Sequence, residues 1–149
     1  MAFWIEVISQ PFMREGEKFC YGEITIGDYS EKFEIPLSYW EIEDYQYQWK
    51  SAIKILLEKK GEVVLVKSVK KPEEEKCILW WMLRYQGEHD IRVHKEMVIL
   101  DGEDFLLGKN HSNIYRRGDS EVKAIGPVIN EWKVTIDELK EFLEGIKKS

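Results

Sequence analysis

The sequence predicts an α+β fold: a twisted, mainly antiparallel sheet with one long helix after the first hairpin and a C-terminal helix. Apolar and polar residues alternate, as in strands, both before and after a single run with helical spacing at 42–57. A shorter helical run follows residue 135. The order of strands, helix, strands and helix is typical of this class.

The size and composition predict one soluble globular domain spanning residues 1–149. A chain of 149 residues can bury about 70% of the surface of the extended chain, and hydrophobic residues make up 44% of it. We expect a cytoplasmic protein, because the first residues lack the pattern of a signal peptide and no apolar run approaches ~18 residues. Cys20 and Cys77 lack metal-site or redox spacing, so we expect reduced thiols, no metal and no cofactor.

The first strands are predicted from alternation. Phe3–Ser9 reads as a strand, followed by a break at Pro11 and at 14–17. Residues 19–26 and 31–37 are predicted to form a hairpin, because 27–30 (Gly-Asp-Tyr-Ser) supplies turn-forming residues.

Ser38 and Glu41 have the spacing of a capping box and predict the start of the long helix, which Gly61 ends. The residues expected on its buried face are Ile42, Tyr45, Trp49, Ile53, Leu56 and Leu57. Tyr47 falls outside this stripe. Tyr47 either contacts a binding partner or is one of the scattered exposed aromatic residues that are normal on a protein surface.

Three successive antiparallel strands are predicted at 62–70, 77–86 and 91–100. In 77–85 both alternating sets are apolar, which indicates a central strand covered on both faces. The third strand should have one solvent-exposed face, formed by Arg92, His94 and Glu96.

Loops with at most one helical turn are expected at 101–128, and a last strand at 128–134. Thr135 and Glu138 form a second predicted capping box that opens the C-terminal helix. The residues expected to face inward on this helix are Ile136, Leu139, Phe142, Leu143 and Ile146.

The sequence contains no clear match to a catalytic or metal-binding pattern. The three histidines, His89, His94 and His111, lack an evident nucleophile or carboxylate partner. His89 and His94 are five positions apart across a predicted turn, which fits neither a helical nor a strand-based metal pair. The tryptophans Trp49, Trp80 and Trp81 are expected in the core, and the alternative is that one of them lines a ligand pocket.

The net charge indicates which classes of partner the protein attracts and which it repels. With 28 acidic and 22 basic side chains the net charge is -6, which repels nucleic acid and anionic membranes and attracts a basic protein. Acidic groups concentrate in the predicted loops, among them 88–90 and 101–104. Such loops either steer a basic partner or simply keep the protein soluble.

A sequence resemblance adds to this interpretation. The pattern Pro36-Leu37-x-x-Trp40, followed by Asp44-Tyr45-x-x-Gln48-Trp49, resembles the contact-dependent growth inhibition immunity protein family. The segment 129–132 (Ile-Asn-Glu-Trp), before an acidic amphipathic helix, is similar to the end of that family, and 22–28 is similar to its early strand and turn. The resemblance implies that the motif residues are scaffold: Pro36, Leu37, Trp40, Asp44, Tyr45, Gln48, Trp49, Glu131 and Trp132.

The resemblance implies a non-enzymatic antidote that binds and neutralises the toxic C-terminal domain, often a nuclease, of a delivered effector. We expect a 1:1 heterodimer with this cognate toxin domain and no binding to nucleic acid or membrane. The expected toxin contacts are the charged residues Glu88, Asp90, Asp101, Glu103 and Asp104, with Tyr47 as an aromatic anchor. Three alternatives stay open: a small-molecule or lipid-binding module with an aromatic-lined pocket, a hydrolase that uses His94 or His111, and a structural adaptor.

Overall fold

The computed structural model describes residues 2–38, 40–67, 77–99, 123–124 and 129–145, with the backbone alone at 77–79, 96–99, 123–124 and 129–130. The strands in these ranges are β1 (Phe3–Val7), β2 (Phe12–Arg14), β3 (Glu17–Ile26), β4 (Tyr29–Pro36), β5 (Glu62–Val66), β6 (Cys77–Gln86), β7 (Asp90–Ile99), β8 (Lys123–Ala124) and β9 (Ile129–Thr135). The helices are α1 (Ile42–Lys59) and α2 (Ile136–Leu143). Parts of two predicted segments, 68–70 and most of 101–128, lie outside the described residues.

The strands form two antiparallel sheets. In the first sheet β3 is central, with β4 along one edge and β1 and β2 end to end along the other. The second sheet has the order β5-β6-β7, and the far side of β7 pairs with both β8 and β9. The predicted α+β class is confirmed, with its antiparallel pairing, the long helix after the first hairpin and the C-terminal helix.

The first hairpin closes more tightly than the sequence suggested. Ile26 pairs with Tyr29, so the loop consists of Gly27 and Asp28, and Gly27 has a φ of +61°. A two-residue loop requires positive φ, which glycine adopts without strain. Tyr29 and Ser30 therefore already belong to β4. A further difference is β2, which forms within the region where the sequence predicted only a break.

Gly22 allows close packing where the two sheets meet. A Cβ atom at this position in β3 would lie 2.7 Å from Ile35 Cδ1 and 2.8 Å from Phe33 Cζ. The Phe33 ring packs edge-on against Trp81 of the second sheet, with the ring centroids 5.0 Å apart. It also lies 6.3 Å from the ring of Trp49 on α1. Phe33 thus joins both sheets and the long helix in one core.

The long helix begins later than its predicted cap. Glu41, not Ser38, is the N-cap residue, and its backbone N–H donates to Asp44 Oδ2 at 2.8 Å. The predicted Ser38 cap is therefore wrong. Trp40 gives the physical reason, because its side chain is fully buried and fixes the chain outside the helix at that position.

The buried stripe of α1 contains one polar side chain. The buried residues are Tyr45, Gln48, Trp49, Ala52, Ile53 and Leu56. Ile42 and Leu57, expected to face inward, are only half-buried at the margins of the stripe. The helix ends at Lys59, and the Lys60 N–H still reaches Leu56 O at 3.0 Å.

In the second sheet, β6 has both faces covered, as its sequence predicted. The consecutive residues Trp80, Trp81, Met82 and Leu83 are all buried, although they point alternately to opposite faces. The prediction for His94 on β7 is wrong, because its side chain is only 7% exposed. His94 lies opposite the buried Met82, so this face of the sheet is covered at that point, whereas Arg92 on the same face is about one-third exposed.

The capping box of α2 is confirmed. Glu138 N–H donates to Thr135 Oγ1 at 3.2 Å, and Thr135 N–H donates to Glu138 Oε1 at 3.1 Å. Leu139 and Phe142 are buried, and the Phe142 ring meets Phe3 edge-on at 5.6 Å. The helix therefore packs against β1 at the edge of the first sheet. Ile146 lies outside the described residues.

Candidate functional site

The charged residues expected to contact a partner can be placed only in part. Glu88 is exposed in the turn between β6 and β7, and Asp90 is the first residue of β7. Asp90 Oδ2 lies 3.5 Å from Lys133 Nζ on β9, so its charge is partly balanced. Asp101, Glu103 and Asp104 lie outside the described residues.

Tyr47, the expected aromatic anchor, is on the outer side of α1 with 58% of its surface exposed. Its neighbour Gln48 points the opposite way, into the protein, and is fully buried. The helix thus separates a buried structural face from an accessible one. Tyr47 lies on a different element from Glu88 and Asp90.

The central motif residues join α1 to the edge of the second sheet. Gln48 Nε2 donates to Val64 O at 2.8 Å, and Gln48 Oε1 accepts from Val66 N–H at 3.0 Å. Trp49 Nε1 donates to Val66 O at 2.8 Å. Because β5 pairs on its other side with β6, these bonds satisfy backbone groups that an edge strand would leave unpaired.

The remaining motif residues of this region fix the chain that leads into α1. Tyr45 Oη donates to Pro36 O at 2.8 Å, which ties the helix to the end of β4. The Trp40 ring meets the Tyr45 ring edge-on, with the centroids 5.2 Å apart. Leu37 packs half-buried against the same core. In this structure these motif positions contribute packing and hydrogen bonds to the fold.

The two C-terminal motif residues lie on β9 and reach across to other strands. Glu131 forms an ion pair with Arg92 of β7. The Trp132 ring packs on the Tyr29 ring of the first sheet, with the centroids 4.5 Å apart. Trp132 therefore forms a second aromatic connection between the sheets, in addition to Phe33.

A charged cluster that the sequence did not predict lies beside Tyr29. Glu31 on β4 forms ion pairs with Lys67, at 3.0 Å, and with Lys95 of β7, and it accepts a hydrogen bond from Tyr29 Oη. All three charged side chains are at least three-quarters buried. No local pattern indicated the cluster, because Lys67 and Lys95 follow Glu31 by 36 and 64 positions in the sequence.

The cluster shifts the pKa values of its members. Burial alone would raise the pKa of Glu31, but hydrogen bonds from Lys95, Tyr29 and Lys67 outweigh it and lower that pKa. Burial would likewise lower the pKa of Lys95, but the hydrogen bond and the charge of Glu31 outweigh it and raise that pKa. Burial, followed by the bond to Glu31, raises the pKa of Tyr29. The three groups therefore hold one another in their charged or hydrogen-bonded forms.

The outer face of the first sheet carries exposed aromatic and aliphatic side chains. Ile8 and Tyr21 are 40% and 38% exposed, and the Phe12 ring stacks on the Tyr21 ring at 5.0 Å. Sequence reasoning missed this surface. The signal available was the pair of patterns Phe12-x-Arg14 and Phe19-x-Tyr21, which place large residues on the side of each strand that faces away from the core.

A cleft of about 160 Å³ opens between β1, α1 and α2. Its side-chain walls combine Trp4, Trp49 and Phe142 with the polar residues Glu6, Gln46 and Lys50. Pockets for drug-sized ligands usually measure about 300 to 1,000 Å³. The cleft is therefore sized for a small chemical group, and it is the place in the described structure where the hypothesis of an aromatic-lined pocket can be tested.

Neither described helix is long and apolar enough to cross a membrane. Within the same ranges, histidine, cysteine, aspartate and glutamate residues do not gather in groups of three or more that could hold a metal ion. His94 is buried and His89 is exposed in a turn, while His111 lies outside the description. Cys20 is a fully buried free thiol, and burial raises its pKa, which keeps it protonated.

Comparison with known proteins agrees with the motif positions. Residues 35–142 match the family model described as the CdiI N-terminal domain. The chain is 27% identical over 137 residues to the immunity protein CdiI of Enterobacter cloacae subsp. cloacae. This alignment covers 92% of this chain and 93% of that protein. It is also similar to a chain of the solved CdiA-CT/CdiI toxin and immunity complex from Enterobacter cloacae, with a TM-score of 0.74, 28% identity and 97% of each chain covered.

These similarities confirm the resemblance inferred from the tryptophan-anchored motifs. The family model extends from the end of β4 to α2, and therefore includes the β5 edge that Gln48 and Trp49 protect. The matched stretch makes up more than half of the sequence, and the chain accordingly belongs to the family defined by the CdiI N-terminal domain.

Proposed function

We propose that this chain is an immunity protein that binds and neutralises the cognate C-terminal toxin domain of a contact-dependent growth inhibition effector. The observation that carries this proposal is the similarity over 97% of both chains to a member of a solved toxin and immunity complex. The similar relative is itself an immunity protein. The chain acts in the cytoplasm as a single domain and forms a 1:1 complex, without a catalytic step of its own.

The finer part of the proposal is that the toxin is a nuclease. The chain has a net charge of -6, and an enzyme that acts on nucleic acid presents basic groups around its cleft. Opposite charges steer association, and they do so less as salt is added. An acidic inhibitor either occupies the cleft in place of phosphate or holds a neighbouring surface, and both routes need only complementary charge and shape.

The proposed charged contacts are Glu88, Asp90, Asp101, Glu103 and Asp104. Support among the described residues comes from Glu88, which is exposed at a turn, where loops and turns commonly carry binding residues. Asp90 is a weaker contact because Lys133 already lies near its carboxylate. Tyr47, which is 58% exposed, is one candidate for an aromatic anchor.

The experiment is co-expression with the C-terminal domain of the cognate contact-dependent growth inhibition effector from the same strain. We expect the two proteins to co-purify at a 1:1 ratio and the chain to protect cells that express the domain. The purified domain should degrade RNA or DNA, and added chain should stop the degradation. A toxic domain that neither co-purifies with the chain nor loses toxicity in its presence would refute the proposal.

The alternative is a module that binds a small apolar molecule in the cleft lined by Trp4, Trp49 and Phe142. The aromatic walls favour it, but the volume of about 160 Å³ limits the ligand to a small group. Native mass spectrometry of the purified protein tests it. A bound compound that is lost when Trp4 is replaced by Ala would favour the alternative, and unliganded protein would count against it.

A further inference from the structure

The outer face of the first sheet contains a compact apolar surface, here called the outer patch and formed by Ile8, Phe12 and Tyr21. Ile8 N–H donates to Tyr21 O at 2.8 Å, so these two residues are paired across the strands and their side chains share a face. The Phe12 ring stacks on the Tyr21 ring at 5.0 Å and lies 6.1 Å from the Phe19 ring. The patch is therefore formed by β3, by β2 and by Ile8, which follows β1 along the same edge of β3.

Exposed apolar side chains lie close together in the outer patch. Among the described residues the large apolar side chains with the greatest exposure are Ile8, Met13, Tyr21 and Tyr47. Two of these four, Ile8 and Tyr21, belong to the outer patch, whereas Met13 pairs with Lys18 and points to the opposite side of β2 from Phe12. Single exposed apolar residues are normal on a soluble protein, whereas a cluster of them marks an interaction surface.

A charged rim borders the patch. Arg14 on β2 donates two hydrogen bonds to Glu34 on β4, at 2.6 and 2.7 Å, and thereby crosses over β3. The Arg14 guanidinium lies 4.8 Å from the centroid of the Phe19 ring, which it covers. Glu34 is paired in register with Tyr21. An apolar centre with aromatic residues, surrounded by charged groups, is the usual arrangement of a protein interface.

The charge around the patch selects the kind of partner. Residues 1–37 contain seven acidic side chains, namely Glu6, Glu15, Glu17, Glu23, Asp28, Glu31 and Glu34, against Arg14, Lys18 and Lys32. On the outer face itself the register places Glu6, Glu17, Glu23 and Glu34 with Arg14 and Lys32, a net charge of about -2, whereas Glu31 lies on the core side of β4 and is paired with Lys67 and Lys95. A second copy of the same acidic sheet would be repelled, whereas a basic protein domain would be attracted.

We infer that the toxin domain docks on the outer face of the first sheet, with Tyr21, Phe12 and Ile8 as the apolar anchor and Glu34 and Glu23 in the acidic rim. The inference rests on the proposed function, since it assigns the surface through which that function is exerted. It places the aromatic anchor on β2 and β3, and not on α1, where Tyr47 lies.

The test compares two exposed tyrosines on the same protein. Tyr21→Ala and Ile8→Ala are measured against Tyr47→Ala for binding to the purified cognate toxin domain, with calorimetry for the Kd and circular dichroism as the check of folding. We expect Tyr21→Ala to raise the Kd at least about tenfold, mainly through faster dissociation. Tyr47→Ala should change the Kd by less than about threefold.

Hydroxyl-radical footprinting of the unmutated complex provides a measurement that does not depend on folding of the variants. Oxidation of Tyr21 and Phe12 should fall on addition of the toxin domain, while oxidation of Tyr47 stays constant. Protection of Tyr47 without Tyr21, or wild-type affinity in both patch variants, would overturn the inference and leave the proposed function intact. Absence of binding by the unmutated chain would instead refute the proposed function.

Discussion

Gln48 on α1 and Val66 on β5 are joined by a hydrogen bond from the Val66 N–H to Gln48 Oε1, at 3.0 Å. The same amide donates to Val64 O through Nε2 at 2.8 Å, so one buried side chain acts as a peptide group would in a neighbouring strand. A buried edge strand without such partners would leave backbone groups unsatisfied. The Gln48-Trp49 dipeptide of the family motif therefore closes the edge of the second sheet.

The first prediction concerns this amide. Gln48→Leu keeps a side chain of similar size but leaves Val66 N–H and Val64 O buried without partners, so the free energy of unfolding should fall by about 2 to 4 kcal/mol. Gln46→Leu, the same change at an exposed position of the same helix, should alter it by less than about 0.5 kcal/mol. Urea denaturation measures both. Equal effects of the two substitutions would mean that the amide is dispensable.

The second prediction separates two buried tryptophans. Trp49 Nε1 donates to Val66 O, whereas Trp81 Nε1 is buried with no acceptor among the described residues. Replacement by Phe reduces ring size at both positions, but only Trp49→Phe also breaks a buried hydrogen bond. We expect Trp49→Phe to lower the free energy of unfolding by about 1 to 2 kcal/mol more than Trp81→Phe. Guanidinium titrations of the two variants provide the comparison, and the reverse order would contradict the assigned bond.

The third prediction concerns the pH dependence of stability through Glu31. Its pKa in the folded protein is lowered, so its contribution to stability is present above the unfolded value near 4.5 and is lost as the pH falls through the folded pKa. The pKa of Lys95 is raised, so its contribution is present below about 10.5 and is lost as the pH rises through the folded pKa. Thermal denaturation from pH 2 to 11 should show both losses.

Glu31→Gln removes the carboxylate that Lys67 and Lys95 share. The free energy of unfolding at pH 7 should fall by about 1 to 3 kcal/mol, and the loss of stability at acid pH should become shallower. Glu34→Gln on the same strand is the control, because its ion pair with Arg14 is about half exposed and screened by water. Indistinguishable acid profiles for Glu31→Gln and the unmutated protein would be inconsistent with the cluster.

The fourth prediction tests the two helix starts. Thr135→Ala removes the side-chain oxygen that accepts from Glu138 N–H, and it should cost about 1 kcal/mol of stability. Ser38→Ala should be nearly neutral, because the long helix is capped at Glu41. Denaturant unfolding of both variants provides the measurement. A larger loss for Ser38→Ala than for Thr135→Ala would restore the predicted Ser38 cap.

Local patterns predicted much of the fold. The Thr135 and Glu138 box is formed within four residues, so its sequence contains all the information that the cap needs. In β6 both alternating sets of side chains are apolar, and this local pattern was sufficient to predict a strand covered on both faces. At the start of α1, however, Ser38-x-x-Glu41 and Glu41-x-x-Asp44 overlap, and burial of Trp40 in the core decides between them.

The candidate sites depend on contacts that distant residues make. The outer patch exists only because the register of β2 and β3 brings Phe12 beside Tyr21. Burial of His94 depends on the side chains that neighbour it across strands, and the Glu31 cluster on lysines of two other segments. Such pairings carry no local signal, which explains why the sequence could indicate an acidic, aromatic-rich binding protein without locating the anchor.

The central claim is that this chain neutralises a toxin by direct binding. Isothermal titration of the purified chain with the C-terminal toxin domain of its cognate effector tests that claim most directly. The account predicts a 1:1 complex with a Kd of about 10 nM or tighter, weakening as salt is raised. The absence of measurable binding between the two folded proteins, at concentrations at which the domain is toxic, would contradict it.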